Sequence, residues 1–376
     1  MGGIMEFKIL KEPFLKALQK VQGIVEKKNT MPILSNVLIE AADGAIWILA
    51  TDLEVGIKTS HPATVISEGK ITVSAKKLYE IIKELSDEEL TFSTRENDWV
   101  ELRSGKAQFN IVGLSSDEFP YFPRINEENL IRVSCSLLND MIEKTAYAIC
   151  HDETKYNLNG VFMKAVEESG KNILRMVATD GHRLAVVERE FSGQVCQELK
   201  SGAIFPKKGI FELKKMTEDA DEDLLMTFQD NSAILKKGDT IVVMRLVDGE
   251  FPDYSRVIPV SNDLQIIIEK ESFLRALKRI AILSSEKFKG VKFSFTPDKL
   301  EISSSNPEIG DAKEELDTVY SGTLLETRFN ARYIIDVLSV LKEDSVQILL
   351  KSEMSPAIIK PMVDQGFQAV IMPMRL

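Results

Sequence analysis

The residues best suited to catalysis lie in one short segment, Thr179-Asp180-Gly181-His182-Arg183. A carboxylate beside an imidazole can orient the ring as a general base, so Asp180 and His182 form the best candidate for an enzymatic site. No nucleophile is identifiable beside them. A turn aspartate that accepts backbone N–H groups explains Asp180 equally well without any chemistry. We therefore expect a protein that is not an enzyme, and we keep an enzyme that uses Asp180 and His182 as an alternative.

Part of this segment occurs twice. Ala50-Thr51-Asp52 returns as Ala178-Thr179-Asp180, and Glu118-Phe119-Pro120 returns, at nearly the same separation along the chain, as Glu250-Phe251-Pro252. In the first copy Leu53-Glu54 replaces the glycine and histidine, so the candidate base is not repeated. Two unrelated triplets at nearly one spacing indicate a duplicated domain, and 376 residues leave room for three repeats.

The elements that position these segments follow the same repetition. Each repeat opens with an amphipathic helix, continues in strands, and then has a second helix and further strands. The apolar spacing predicts helices over residues 13–25, 75–85, 136–149, 207–216, 272–283 and 331–341, and strands that include 100–102, 232–236 and 369–372. This order predicts the α+β class, with antiparallel sheets that carry helices on one face.

Two proline-containing segments predict the ends of repeats. Residues 117–123 and 249–254 each run into a proline, which restricts the preceding residue to extended backbone. We therefore expect three domains, at residues 1–129, 130–257 and 258–376.

Charge is distributed unevenly over the chain. The formal net charge is −11, but the six predicted helices with their flanks carry 24 Lys and Arg against 13 Asp and Glu, which leaves a net of −22 elsewhere. A basic helix layer binds a polyanion through its phosphates without reading sequence, while an acidic remainder repels it. Lysines on solvated helix faces are the ordinary alternative explanation of this bias.

The other functional classes find little support. Cys135, Cys150 and Cys196 have no metal-type spacing, and the chain has no phosphate-binding glycine loop, so we expect no metal and no cofactor. No apolar run approaches the length of a membrane helix, and the first residues do not read as a signal peptide. With three unpaired thiols, these features predict a cytoplasmic protein that does not act at a membrane.

Four blocks of sequence resemble one known family. Residues 178–186, 246–254, 282–291 and 372–376 are similar, in order and spacing, to the bacterial sliding clamp, the β subunit of the DNA polymerase III holoenzyme. The resemblance covers the chain from about Met5 to Leu376. It implies three repeated clamp domains in a homodimeric ring, with helices lining the interior and antiparallel sheets outside. Such a ring is a processivity factor that encircles double-stranded DNA without sequence specificity and slides on it.

A size estimate supports two chains independently. If each repeat places two helices about 10 Å wide around a hole, one chain leaves roughly 9 Å clear and two chains leave roughly 28 Å. A DNA duplex of about 20 Å passes only through the second ring. The resemblance also implies the partners: the replicative DNA polymerase α subunit, an ATP-driven clamp loader and other proteins with a clamp-binding motif.

The resemblance assigns three sets of residues in this sequence. The DNA-facing candidates are Lys28, Lys207, Lys208, Lys287 and Lys289. The loop over residues 150–156 also matches a DNA-near segment, although Asp152 and Glu153 make it acidic here. The joint of the ring pairs Phe109 and Ile111 with Ile282 and Leu283 of the other chain, and Arg103 and Lys106 with Glu308, Asp311, Glu314 and Glu315.

The third set is a groove for partner peptides between domains two and three. By position it contains Leu158, Thr179, Gly181, His182, Arg183, Leu184, Pro252, Arg256, Val257, Asn330, Tyr333, Met354, Val370, Met372, Pro373, Met374 and Arg375. We expect residues 372–374 to form a wall against Leu184 and Val257. Methionines suit such a site because they adapt to varied ligands. A repeat scaffold that binds peptides but never DNA is the remaining alternative.

Overall fold

A computed structural model of the chain describes residues 4–25, 31–86, 88–123, 130–219, 221–260, 263–284, 290–364 and 366–374. Within these ranges the α-helices are α1 (Lys11–Gln22), α2 (Ala75–Glu84), α3 (Cys135–Thr145), α4 (Gln197–Ser201), α5 (Lys207–Met216), α6 (Lys270–Ile280) and α7 (Ala331–Val340). None of the described helices is long and apolar enough to cross a membrane.

The strands of the first half are β1 (Glu6–Leu10), β2 (Asn36–Ala42), β3 (Ala45–Thr51), β4 (Val55–Pro62), β5 (Thr64–Ser67), β6 (Gly69–Ser74), β7 (Glu89–Thr94), β8 (Trp99–Ser104), β9 (Ala107–Leu114), β10 (Ile131–Ser134), β11 (Gly160–Glu168), β12 (Lys171–Thr179) and β13 (Arg183–Glu190). Those of the second half are β14 (Ala203–Pro206), β15 (Asp223–Gln229), β16 (Ser232–Lys237), β17 (Thr240–Arg245), β18 (Leu264–Glu269), β19 (Gly290–Thr296), β20 (Lys299–Asn306), β21 (Gly310–Asp317), β22 (Leu325–Asn330), β23 (Ser345–Leu350), β24 (Ala357–Pro361) and β25 (Phe367–Ile371).

All six predicted helices are present, and side-chain caps explain where several begin. Ser74 accepts a hydrogen bond from the N–H of Lys77 at the start of α2, and Ser134 caps α3 in the same way. The carboxylate of Glu269 accepts the first N–H groups of α6. These oxygens satisfy donors that a helix leaves unpaired in its first turn. The five-residue α4 was not predicted, because it is too short to show a helical period.

The chain divides into two compact units that do not coincide with the sequence repeats. Unit 1 contains residues 1–133, 211–216 and 222–246, and unit 2 contains residues 134–210, 217–221 and 247–376. Unit 1 is built on one sheet in the order β10-β15-β16-β17-β4-β3-β2-β6-β9-β8-β7-β1-β5. Unit 2 has the sheets β14-β11-β12-β13-β25-β24-β23-β18 and β21-β20-β19-β22. The strands of the described ladders pair antiparallel, as expected for the α+β class.

Two antiparallel ladders explain this division. In unit 1, β17 of the second repeat pairs with β4 of the first, and Gly56 lies opposite Val243. In unit 2, β25 of the third repeat pairs with β13 of the second, and Leu184 lies opposite Val370. The strands of the second repeat therefore belong to two different sheets. The domain limits at residues 129 and 257 stay predictions.

The helices cover the sheets with apolar faces. In unit 1, α1 packs against α2, β3 and β4, and buries Phe14, which meets the stacked rings of Phe7 and Phe92 edge-on. In unit 2, α6 packs against α7, and Phe273 meets Phe293 edge-on. These buried aromatic rings fix the helices at the places where the sequence period predicts them.

An ion cluster joins α3 to strands of unit 2. It consists of Asp140, Lys144, Arg189 and Asp364, and we call it the Asp364 cluster. Burial raises the pKa of Asp364, but hydrogen bonds from Lys144 and Arg189 outweigh it and hold that pKa below its usual range. The cluster ties the second repeat to the third, because Asp364 lies just before β25.

Candidate functional site: a cavity beside the repeated turn

The turn between β12 and β13 places Asp180 as a structural residue. Its Oδ1 accepts the N–H groups of His182 at 2.9 Å and Arg183 at 3.0 Å, and its Oδ2 accepts from Nε of Arg183 at 3.0 Å. Thr179 accepts the N–H of Gly181, whose φ of +91° favours glycine. The carboxylate is therefore engaged by backbone and by arginine, and the turn explanation of Asp180 fits this geometry better than a general-base pair.

Arg183 connects this turn to α7. Its Nη1 lies 2.7 Å from Oδ2 of Asp336, and its Nη2 donates to the carbonyl oxygen of Tyr147 at 2.5 Å. The guanidinium also lies between two rings, 5.3 Å from the centroid of Tyr147 and 4.6 Å from that of Tyr333. These hydrogen bonds and ring contacts restrict the rotation of the Arg183 side chain. Arg183 therefore forms a rigid base at the edge of the neighbouring surface.

A cavity of about 200 Å³ opens beside this base in unit 2. It is mainly apolar, with a few polar groups at its edge, which is the usual character of a ligand site. Its walls are formed by Leu158, Thr179, Gly181, Arg183, Leu184, Pro252, Asp253, Tyr254, Val257, Val370 and Met372. Leu184 and Val370 form its floor, because both are almost fully buried in one apolar cluster.

Nine of the seventeen residues predicted for the groove line this cavity. They are Leu158, Thr179, Gly181, Arg183, Leu184, Pro252, Val257, Val370 and Met372. Met372 is held in place because its N–H donates to the carbonyl oxygen of His182 at 2.9 Å. The structure brings these nine residues together from four separate segments of the chain.

The other predicted groove residues lie outside the cavity wall. The ring of His182 stacks on Tyr333 at 6.5 Å, and Asn330 caps α7. Met374 donates its N–H to Arg328, and its sulfur lies near Gly290. The expected wall of residues 372–374 is thus formed by Met372 alone; Pro373 and Met374 continue past it toward β19 and β22.

Three predicted groove residues need separate comment. Arg256 is exposed and forms an ion pair with Asp253, with 2.9 Å between Nε and Oδ2. Met354 is exposed on the surface of unit 2. Arg375 lies outside the described residues.

Sequence reasoning missed Asp253 and Tyr254 as parts of the cavity wall. Tyr254 packs against Phe162 and Phe251, and its hydroxyl accepts a hydrogen bond from Arg175 at 3.4 Å. Hydrogen bonds from Ser255 and Arg256 hold the pKa of Asp253 below its usual range. The sequence gives one indication that these two residues belong to the site: both directly follow the repeated triplet that ends at Pro252.

The described DNA-facing candidates lie at the start of α5. Lys208 is exposed, and Nζ of Lys207 donates to Nδ1 of His151 at 2.5 Å. His151 opens the acidic loop, where hydrogen bonds from Thr154 lower the pKa of Asp152. Lys207 is therefore held beside the loop that resembles a DNA-near segment. Lys28, Lys287 and Lys289 lie outside the described residues.

The candidates for the ring joint lie on or near strand edges. In unit 1, β9 pairs with β8 along its length but with β6 only at Gly113 and Leu114, so its edge at Phe109 and Ile111 is open within the described part of that unit. In unit 2, β21 is an end strand. Phe109 is 39% exposed and Ile282 75%, while Leu283 is partly exposed.

Three of the six charged candidates for the joint have ion-pair partners within their own unit. Arg103 contacts Glu101, Arg279 contacts Glu314, and Lys299 contacts Glu315 at 2.6 Å. Lys106, Glu308 and Asp311 are exposed. An interface that uses Arg103, Glu314 or Glu315 must therefore exchange or share these contacts.

Comparison with known proteins assigns the chain to a family. Three models of the DNA polymerase III beta subunit match in order: the N-terminal domain over residues 5–123, the central domain over 132–253 and the C-terminal domain over 255–375. The chain belongs to the DNA polymerase III beta subunit family. The beta sliding clamps of Caulobacter vibrioides and Escherichia coli K12 are both 35% identical to it, and each match covers 99% of this chain and 100% of the relative.

Solved structures of this beta subunit family have the same fold. The sliding clamp of Bartonella birtlesii bound to griselimycin matches with a TM-score of 0.94 at 34% identity, and that of Bacillus subtilis with 0.93 at 30%. Both matches cover 100% of this chain and 100% of the other. The three clamp domains expected from the sequence repeats are thereby confirmed.

Proposed function

We propose that this protein is the processivity clamp of a replicative DNA polymerase. Two chains form a closed cytoplasmic ring that encircles duplex DNA, slides along it and tethers the polymerase without catalysing a reaction. The observation that carries the proposal is the full-length match to all three domains of the sliding-clamp family, in order. A closed ring holds DNA by topology, so it needs no tight contact with any base sequence.

The helices supply the weak contacts that sliding requires. Helix α5 carries four lysines and one glutamate, and α6 carries four basic residues and one glutamate. Contacts of lysine and arginine with phosphates are independent of sequence and weaken as salt rises. We assign Lys207 and Lys208 to this role among the described residues, and Lys28, Lys287 and Lys289 by resemblance.

The ring closes where β9 of one chain meets β21 of the other. Among the described residues, β21 lies at the end of its sheet and β9 has an open edge before Gly113, and such edges pair readily with another strand. The exposed side chains of Phe109 and Ile282 support the same joint, because burying them across an interface removes apolar area from water. The two ends of each chain differ, so the contact is head-to-tail and closes after two subunits.

The cavity beside Arg183 is the docking groove for partner proteins. Its floor of Leu184 and Val370 accepts apolar side chains, and the flexible Met372 adapts to different ones. The polymerase α subunit, the clamp loader and other partners compete for this one groove through a short peptide.

Retention on circular DNA tests the ring. The clamp loader and ATP are used to load the protein onto nicked circular duplex DNA, the complex is separated from free protein by gel filtration, and the DNA is then cut once. We expect the protein to elute with the circle and to be released from the linear form. Equal retention on both forms, or none on the circle, refutes the ring.

Truncation tests the groove separately. Removing residues 372–376 deletes the Met372 wall, so we expect a protein that remains a dimer but no longer binds polymerase or loader in a pull-down. A peptide with a glutamine and a leucine-phenylalanine pair should compete with both. The matched control is Val363→Ala, at an exposed apolar residue outside the cavity wall. Full-strength binding of polymerase by the truncated protein refutes the shared groove.

A further inference from the structure

Unit 1 repeats the backbone framework of the groove. Thr51 accepts the N–H of Leu53 at 3.1 Å, just as Thr179 accepts that of Gly181 at 3.1 Å. Oδ1 of Asp52 accepts the N–H groups of Glu54 and Val55, just as Asp180 does for the two residues after Gly181. The φ of Leu53 is +77°, so even a leucine adopts the left-handed conformation that Gly181 adopts. The turn that borders the groove in unit 2 therefore has a second copy in unit 1.

The strand that forms the groove wall is also repeated. The N–H of Arg245 donates to the carbonyl oxygen of Glu54 at 2.8 Å, as that of Met372 donates to His182. The neighbouring ladders have the same register, with Gly56 opposite Val243 and Leu184 opposite Val370. Unit 1 thus has the floor strand, the turn and the wall strand of a groove.

The two copies differ at one position of the floor strand and in the packing of the aromatic residue next to it. Gly56 occupies the position of Leu184, and the ring of Phe122 lies directly over it, 3.1 Å from where a Cβ would stand. Phe122 corresponds to Tyr254, since both follow the repeated Glu-Phe-Pro triplet. In unit 2 Tyr254 packs against an apolar cluster that contains the side chain of Leu184, whereas in unit 1 no side chain stands between Gly56 and the ring of Phe122.

A leucine that precedes the first large strand of each copy also differs in burial between the two units. Leu34 is separated from β2 by one residue, as Leu158 is from β11, and each belongs to a short 3₁₀ turn. Leu34 is 1% exposed and packs in a cluster with Phe119, Trp47 and Phe122. Leu158 is only partly buried and lines the open cavity. The same leucine position is covered in unit 1 and accessible in unit 2.

We propose that unit 1 contains a second, latent copy of the peptide groove that is closed by the chain's own Phe122. The ring of Phe122 occupies the apolar site that a partner's side chain enters in unit 2. Closure restricts each chain to one open groove, and removal of the ring converts the closed copy into a site for the same class of apolar peptide. This last step rests on the proposed function of the open groove, whereas the closure does not.

Thiol labelling tests the closure without any partner. In a Cys196→Ser background, Leu34→Cys should react slowly with a soluble maleimide and Leu158→Cys should react fast. Adding Phe122→Ala should speed the reaction of Leu34→Cys by at least an order of magnitude, whereas the exposed neighbour Tyr121→Ala should not. Fast labelling of Leu34→Cys with Phe122 intact, or no acceleration without it, overturns the closure.

Peptide titration tests the latent site. The peptide with a glutamine and a leucine-phenylalanine pair is titrated into the full chain, into the chain lacking residues 372–376, and into that truncated chain with Phe122→Ala. We expect one site per chain, none, and one weaker site, respectively. If the full chain binds nothing, the proposed groove fails; if the full chain binds and the Phe122→Ala protein does not, the latent site fails.

A second variant guards against loss of folding. Gly56→Ala places a methyl group 3.1 Å from the ring, so Phe122 must shift by a few tenths of an ångström, and no apolar area is removed. Its labelling and binding should lie between those of the parent and of Phe122→Ala. Behaviour identical to the parent in both assays counts against the proposal.

Discussion

Replacing Arg183 by methionine tests whether this residue holds the second and third repeats together. Arg183 is 8% exposed and contacts Asp180 in the turn and Asp336 on α7. Methionine keeps much of the side-chain volume but removes the charge. Asp180 then loses its cation, whereas Asp336 keeps Arg332, whose Nε lies 3.0 Å from its Oδ1.

The structure sets the size of the effect. Removing one partner of a buried ion pair destabilises a protein by about 3–5 kcal/mol. The side chains of Asp180 and Asp336 retain 17% and 20% of their exposure, so water compensates part of the loss. We therefore expect the low end, about 3 kcal/mol, which corresponds to roughly a 100-fold rise in the opening equilibrium.

Native-state hydrogen exchange measures this opening locally. The amides of β13 and α7 should lose about 100-fold in protection, whereas those of β1 and β7 in unit 1 should not change. Both tryptophans, Trp47 and Trp99, lie in unit 1, so their fluorescence does not report on this site. The double variant Arg183→Met with Asp336→Asn should recover part of the loss, because it removes a carboxylate that Arg183 no longer neutralises. Unchanged protection in the single variant, or an equal loss in the double variant, would refute the reasoning.

The joint, the helices and the ion cluster each allow a further test. Ile282→Glu with Leu283→Glu should give a folded monomer by sedimentation, because two charges cannot be buried in an apolar interface; a persistent dimer removes these residues from the joint. Lys207→Glu with Lys208→Glu should weaken DNA retention and reduce its salt dependence on every sequence, with peptide affinity unchanged; loss on one sequence only contradicts phosphate contact. Asp364→Asn should flatten the pH dependence of unit 2 unfolding below about pH 4, because the contribution of this carboxylate is complete above the ordinary aspartate pKa and is lost as pH falls through its lower folded pKa; equal pH slopes contradict it.

The local part of the fold was predictable from sequence because helical periods are local. The start of α5 at Lys207 and that of α7 at Ala331 agree with the predicted limits. The pairing of β4 with β17 was not predictable, because a strand's own pattern does not specify a partner that lies in another repeat. The division into two units, which cuts through the second repeat, follows from this pairing.

The residues of the site could be predicted from the sequence only where they were assigned by resemblance to the related family. Leu184 and Met372 were assigned by position, and both line the cavity. Tyr254 was missed although it belongs to a repeated block, because a tyrosine after a proline gives no sign of the surface it faces. Phe122 packs close to the backbone of β4 because Gly56 has no side chain. This contact becomes visible only when β4 and β13 are compared in space.

The shared sheets also affect how the chain is made. Strand β4 ends at Pro62, but its partner β17 begins at Thr240, so the ribosome must add the whole intervening stretch before the ladder can form. At ordinary elongation rates this interval is roughly 10–40 s. Throughout it the edge of β4 is open to strands of other nascent chains, so this edge is exposed to aggregation until β17 has been made. A fragment cut at residue 129 carries the same open edge permanently, and expression of the first domain alone should therefore favour aggregation.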